Sequence, residues 1–149
     1  MSIEFSVVAD TATLAIFDLK AIRHRVSDSF DWWSIQSDEI SEMNEGNIAF
    51  LNLGEDGRYK VKVEDSLLDP SGGIYLKVPS GRVFVGAGED TSGGGLEPDG
   101  SSTIQGEFLS LEAGSYYMSY KVESGVICLA FSSSSKFSND LADSIRLAI

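Results

Sequence analysis

The stretch Arg58-Tyr59-Lys60-Val61-Lys62-Val63-Glu64 decides the fold class. Tyr59, Val61 and Val63 alternate with charged residues, so an extended chain puts the apolar side chains on one face and the charges on the other. That is a β-strand with one dry and one wet face, as in an antiparallel sheet that packs on one side only. Asn47 to Leu53 reads as another strand just before it, and Gly54-Glu55-Asp56-Gly57 reads as the hairpin turn joining the two.

The same reading extends in both directions. Ile3 to Val8 and Thr13 to Asp18 read as strands, and Gly73 to Val78 and Arg82 to Gly86 flank Pro79-Ser80-Gly81, whose proline and glycine suit a tight reversal. Thr103 to Leu111 and Ser115 to Val122 flank Glu112-Ala113-Gly114, and Val126 to Phe131 follows Gly125. Near the end, Leu141, Ile145 and Ala148 fit a helix while Ile145, Leu147 and Ile149 fit a strand. The reading adopted is a loop over Ser132 to Asn139 and then a closing strand. Residues 37–45 break the alternation: Ile40 and Met43 stand at helical spacing, and Asp38 and Glu39 suit a helix N-terminus. The expected fold is all-β: one domain over residues 1–149, an antiparallel β-sandwich or flattened barrel with one short helical segment near residues 37–45.

Composition narrows the function. The 149 residues carry 11 Lys and Arg against 23 Asp and Glu, a formal net charge of −12. Such a chain repels nucleic acid and anionic lipid and attracts cations and basic proteins. Cys128 is the only cysteine and stands in the apolar run Val126 to Phe131, so it reads as a buried, inert thiol. The first residues, Met1-Ser2-Ile3-Glu4-Phe5, lack a basic region followed by an apolar one, and no apolar run approaches the roughly 20 residues of a membrane helix. A cytoplasmic location away from the membrane is the expectation.

Catalytic motifs are hard to find. His24 is the only histidine, and Lys20, Arg23 and Arg25 around it oppose its protonation. G-x-S-x-G is missing, and one histidine cannot build H-E-x-x-H. Gly86-Ala87-Gly88-Glu89 lacks the Gly-Lys-Ser/Thr ending of a phosphate loop and adds Glu89 and Asp90, which repel phosphate. The chain therefore reads as a non-enzyme without a cofactor. A paired-carboxylate glycosidase is a distant alternative, because separations in space are not readable from sequence. Glu89, Asp90, Glu97 and Asp99 lie on the glycine-rich stretch 87–102, which raises a second alternative, a calcium- or carbohydrate-binding β-sandwich module, although the spacing matches no EF-hand.

The charges are segregated. No Lys or Arg lies between Arg25 and Arg58, where Asp28, Asp31, Asp38, Glu39, Glu42, Glu45, Glu55 and Asp56 fall. None lies between Arg82 and Lys121, where Glu89, Asp90, Glu97, Asp99, Glu107 and Glu112 fall. The first stretch also holds Phe30-Asp31-Trp32-Trp33. Adjacent tryptophans on a strand point to opposite faces, so one fits the core and the other fits an exposed anchor ringed by carboxylates. Asp28, Asp31, Trp32, Trp33, Asp38, Glu39, Glu42, Glu45, Glu89, Asp90, Glu97 and Asp99 are accordingly the candidate partner-binding residues.

The order of features resembles a bacterial group, the competence-nuclease inhibitor and the small β-sandwich immunity proteins of toxin–immunity pairs. The resemblance is carried by Phe5-Ser6-Val7-Val8-Ala9-Asp10, by Gly46-Asn47-Ile48-Ala49-Phe50 leading to Val61-Lys62-Val63-Glu64, and by Pro79 to Gly86. The aromatic strand Leu111 to Tyr117 and the closing strand Asp143 to Ile149 complete it. It is a match of pattern over most of the chain; the loop 87–102 and the run Ser132 to Ser135 fall outside it. The resemblance implies an antitoxin that binds a cognate toxin, a nuclease with a basic cleft, as a stoichiometric heterodimer. Type VI or contact-dependent delivery of the toxin is the implied setting.

Overall fold

A computed structural model of the chain describes residues 2–9, 12–22, 36–87 and 106–147. Its strands are β1 (Ile3–Ala9), β2 (Thr13–Phe17), β3 (Ile48–Asn52), β4 (Gly57–Glu64), β5 (Gly72–Val78), β6 (Arg82–Ala87), β7 (Gly106–Ser110), β8 (Gly114–Glu123), β9 (Val126–Ser134) and β10 (Ile145–Arg146). A 3-10 turn spans Leu19–Ala21 and helix α1 spans Gln36–Asn44. Two five-stranded sheets result, ordered β1-β4-β9-β8-β5 and β10-β3-β2-β6-β7, and neither closes into a barrel.

Strand positions follow the expected alternation, and the sandwich class holds. Pairing corrects three details. Both sheets are mixed rather than purely antiparallel, because β4 runs parallel to β9 and β10 runs parallel to β3. The 54–57 turn is not a hairpin: β3 belongs to the second sheet and β4 to the first, so the chain crosses between sheets there. Pro79-Ser80-Gly81 likewise carries the chain from β5 in the first sheet to β6 in the second. The turn at Ser124 and Gly125 is a true hairpin, between β8 and β9. The closing strand shrinks to Ile145–Arg146, and β9 runs on to Ser134 into the expected loop.

In the first sheet the period-two pattern does what it promises. Val61 is fully buried, Tyr59 and Val63 pack against the core, and Arg58 and Lys60 are exposed. Burying Val61 contributes on the order of 1.5–3 kcal/mol. The second sheet behaves differently. All five residues of β2 are buried, as are Ile48, Ala49, Phe50 and Leu51 of β3. These are continuous apolar runs, the signature of strands covered on both faces. One face is the partner of the first sheet. Part of the other lies under α1, which packs on β3 and reaches Asn52 through Glu39.

Helix α1 ends in a Schellman motif. The Gly46 N–H donates to the Met43 carbonyl at 3.0 Å and the Asn47 N–H to the Glu42 carbonyl at 3.0 Å, with Gly46 at φ 76°. Gly46 also accepts from Lys77 N–H at 2.7 Å, which ties the helix end to the open edge of β5. At the opposite connection, the buried carboxylate of Asp18 accepts from the Ser80 N–H at 2.7 Å and from Lys20 N–H at 3.0 Å, with the Ser80 hydroxyl also donating to it. This bond holds the inter-sheet crossing at residues 79–81 against the end of β2.

Candidate functional site

Of the twelve candidate partner-binding residues, Asp38, Glu39, Glu42 and Glu45 are described, and they divide. Glu45 is exposed and Asp38 partly so. Glu39 and Glu42 are buried, at 6% and 3% exposure, so neither stands at the surface where a partner would meet it. The physical reason is that side chains elsewhere satisfy them. Asn47 Nδ2 donates to Glu42 Oε1 at 2.7 Å, making Glu42 part of the helix C-terminal lock. Glu39 receives side-chain hydrogen bonds from Ser144 and Asn52. One of its oxygens, Oε1, has no hydrogen-bond partner among the described residues. Burial pushes its carboxyl above the ordinary value, helped by Asp143 and opposed by those hydrogen bonds and by Arg146. Asp28, Asp31, Trp32, Trp33, Glu89, Asp90, Glu97 and Asp99 lie outside the described residues.

The fold sorts the remaining charges by surface. On β4, Arg58, Lys60 and Lys62 share the outer face of the first sheet, and Lys62, Cys128 and Lys121 stand in register across three strands. Lys77 lies on the same face by register, and the Lys136 ammonium sits 4.8 Å from the Tyr75 ring there. Glu4 and Glu123 pair with Lys60 at 3.3 Å and with Lys121 at 3.1 Å, exposed contacts worth at most about 1 kcal/mol each. On this face Lys60, Lys62 and Lys121 are each paired with a glutamate, Glu4, Glu64 and Glu123, so its charges largely offset one another. Cys128 is 4% exposed within it, and burial pushes its thiol up, with Glu64 and Glu123 adding to the shift. An inert thiol was the expectation.

Acidic groups gather instead around the end of the sandwich where β3 finishes. Glu55 and Asp56 are exposed on the crossing that follows β3. Asp38 precedes Glu39, which is bonded to Asn52, the last residue of β3, and Asp143 acts on the same carboxylate. Leu14 pairs with Leu51 and with Ala87, and Gly86 pairs with Gly106, so the residues that flank the acidic stretch 88–105 stand at this same end. Arg146 acts on the Glu39 carboxylate, and Arg58 follows Asp56 at the start of β4. Sequence reasoning singled out Asp38 here but passed over Asp143, whose contribution comes from a chain segment far from α1.

No helix among the described residues is long and apolar enough to cross a membrane. A family model described as a family of unknown function (DUF6386) matches residues 1–147. No curated protein matches the chain. Among solved structures it is similar to one titled "Crocagin biosynthetic gene J", at 17% identity and a TM-score of 0.52, covering 87% of this chain and 96% of that one. It is also similar to ComJ from Bacillus subtilis, described as an inhibitor of the DNA-degrading activity of NucA, at 8% identity and a TM-score of 0.50, covering 88% of this chain and 94% of that one. At such identities the likeness is one of fold, and the fold is the one expected for the inhibitor group.

Proposed function

The chain belongs to the family of unknown function DUF6386, and we propose that it is a non-enzymatic binding protein, an immunity protein that neutralises a basic toxin by forming a one-to-one complex. A nuclease is the partner class that fits best, because a cleft that holds phosphates must be basic. A toxin delivered by type VI or contact-dependent secretion would make such protection necessary. The observation that carries the reading is the separation of charge across the fold. Lys60, Lys62 and Lys121 share one sheet face with the glutamates that pair with them, while Glu55, Asp56, Asp38 and Asp143 gather at the end of β3. A protein polarised in this way turns its acidic end toward a basic partner before contact, which raises the rate of productive encounter. The similarity in fold to a protein described as a nuclease inhibitor supports the same reading.

Co-expression with the toxic protein encoded beside this gene tests it. Survival of the host, with the two proteins eluting as one complex, is the expected result. Continued cell death with both proteins soluble would refute the proposal.

A further inference from the structure

The first sheet ends in β1 on one side and β5 on the other, and the two edges are finished differently. The open side of β5 is occupied: Asn139 bonds both backbone groups of Tyr75, and the Gly46 carbonyl accepts from the Lys77 N–H. The seven residues of β1 pair with β4 without a break, from Ile3 opposite Val63 to Ala9 opposite Gly57. On the other side of β1, no backbone or side-chain group among the described residues bonds residues 3–8.

A bare edge is a template for another strand, and sheets protect one with proline, lysine, a bulge or an inward-pointing charge. β1 has none of these. Its one charge, Glu4, lies with Ser6 and Val8 on the outer face, where they stand opposite Lys62, Lys60 and Arg58. Ile3, Phe5 and Val7 share the core side, yet Ile3 is 42% exposed. Ser6, midway along the strand, is exposed too. Arg58, exposed beside Val8, has no carboxylate partner among the described residues, whereas Lys60, Lys62 and Lys121 each have one.

We propose that β1 pairs with β1 of a second copy of this chain, antiparallel about a two-fold axis at Ser6, so that two first sheets join into one. Ser6 is the middle of Ile3–Ala9, so this axis pairs the whole strand. On the core side Phe5 then meets Val7 of the second copy, and the exposed Ile3 meets Ala9. On the outer side Glu4 meets Val8 rather than another carboxylate, and beyond Val8 in the same cross-strand row stands Arg58 of the second copy. Two strand spacings of about 4.8 Å put those backbones about 10 Å apart, within the combined reach of a glutamate and an arginine. The symmetry makes two such Glu4–Arg58 pairs in one closed, isologous contact. This self-complementarity of charge and apolar rows selects a second copy over an unrelated strand. Two copies that each hold one toxin keep the proposed one-to-one ratio, and the inference does not depend on the partner being a nuclease.

The test is analytical ultracentrifugation of the full chain at about 0.15 M salt, where a Debye length of about 8 Å screens the net charge of −12 that otherwise holds two copies apart. The expected result is a dimer at about 100 µM chain. Ser6→Glu stands beside Lys60 within one chain but puts two carboxylates face to face at the axis, so it should keep the melting point and weaken the dimer by about tenfold or more. Glu4→Arg and Arg58→Glu should each weaken it as well, because each sets like charges in the same row. Mixing these two variants should restore a heterodimer, in which both rows again join opposite charges. A parent monomeric at about 100 µM, whatever other strand β1 then binds, would overturn the proposal. So would a Ser6→Glu chain that dimerises like the parent, or a mixture that associates no more tightly than the single variants.

Discussion

The side chain of Asn139 completes the open edge of β5 at Tyr75. Its Oδ1 accepts from the Tyr75 N–H at 2.8 Å and its Nδ2 donates to the Tyr75 carbonyl at 2.9 Å, as a neighbouring strand would. The same Nδ2 donates to the Met43 carbonyl at 2.8 Å, and the Asn139 N–H donates to the Asn44 carbonyl at 2.8 Å. One residue therefore covers a sheet edge and satisfies the last turn of α1, two places where backbone groups otherwise lack partners.

Replacing Asn139 by Ala should cost about 1–3 kcal/mol in chemical denaturation, because both Tyr75 backbone groups lose their partner. Asn139→Asp should be no better, since it keeps the acceptor for Tyr75 N–H but turns a carboxylate toward two carbonyls. A variant as stable as the parent would mean that water replaces the amide without loss.

Gly46 and Gly54 make a matched pair for separating strain from collision. Both have positive φ, 76° and 87°. A Cβ on Gly54 would meet nothing within 4 Å, whereas one on Gly46 would lie 1.8 Å from the Phe137 carbonyl oxygen. Gly54→Ala should cost roughly 1–2 kcal/mol, the left-handed penalty alone. Gly46→Ala should cost clearly more and lower the hydrogen-exchange protection of α1, as the 136–141 segment is forced away. Equal melting points for the two variants would contradict this.

Glu39 should make the protein less stable as pH rises. Its folded-state affinity for a proton is raised by burial. The stability it contributes is present below the unfolded value near 4.3 and is lost as pH climbs through the folded one. Glu39→Gln removes that loss, so relative to the parent it should gain stability as pH rises above about 4, by an amount within the roughly 1–3 kcal/mol cost of a buried unsatisfied group. Parallel denaturation curves at several pH values measure the difference. A gap that does not widen with pH would show that the carboxylate stays comfortably ionised.

The acidic end predicts a kinetic signature. With Glu55→Lys and Asp56→Lys together, association with the cognate toxin should slow by about tenfold at low salt and change little at high salt, with the melting point unaltered. Stopped-flow rates across ionic strength check this, and a rate insensitive to both charge and salt would leave the acidity as a matter of solubility.

Strand positions were legible because alternation is a local property. Tyr59, Val61 and Val63 face the core by geometry of the chain alone, whichever strand lies beside them. Sheet membership was not legible. The 54–57 turn carries two glycines and two acids, as a hairpin turn does, yet it separates strands of different sheets. The choice depends on which distant strand each flank pairs with. Continuous runs such as Leu14-Ala15-Ile16-Phe17 did signal strands covered on both faces, a cue available in sequence that period-two reasoning passed over.

For the surface, the sequence by itself determined the net charge, its segregation along the chain and the presence of a helix near residues 37–45. The tertiary structure decided which of those charges meet solvent. Glu39 and Glu42 turn inward because Asn47, Asn52 and Ser144 supply hydrogen bonds there, and two of those three are remote in sequence from the carboxylates they satisfy. Composition is additive along a chain, but burial and proximity are set by pairing across it, and only the folded sheets define those.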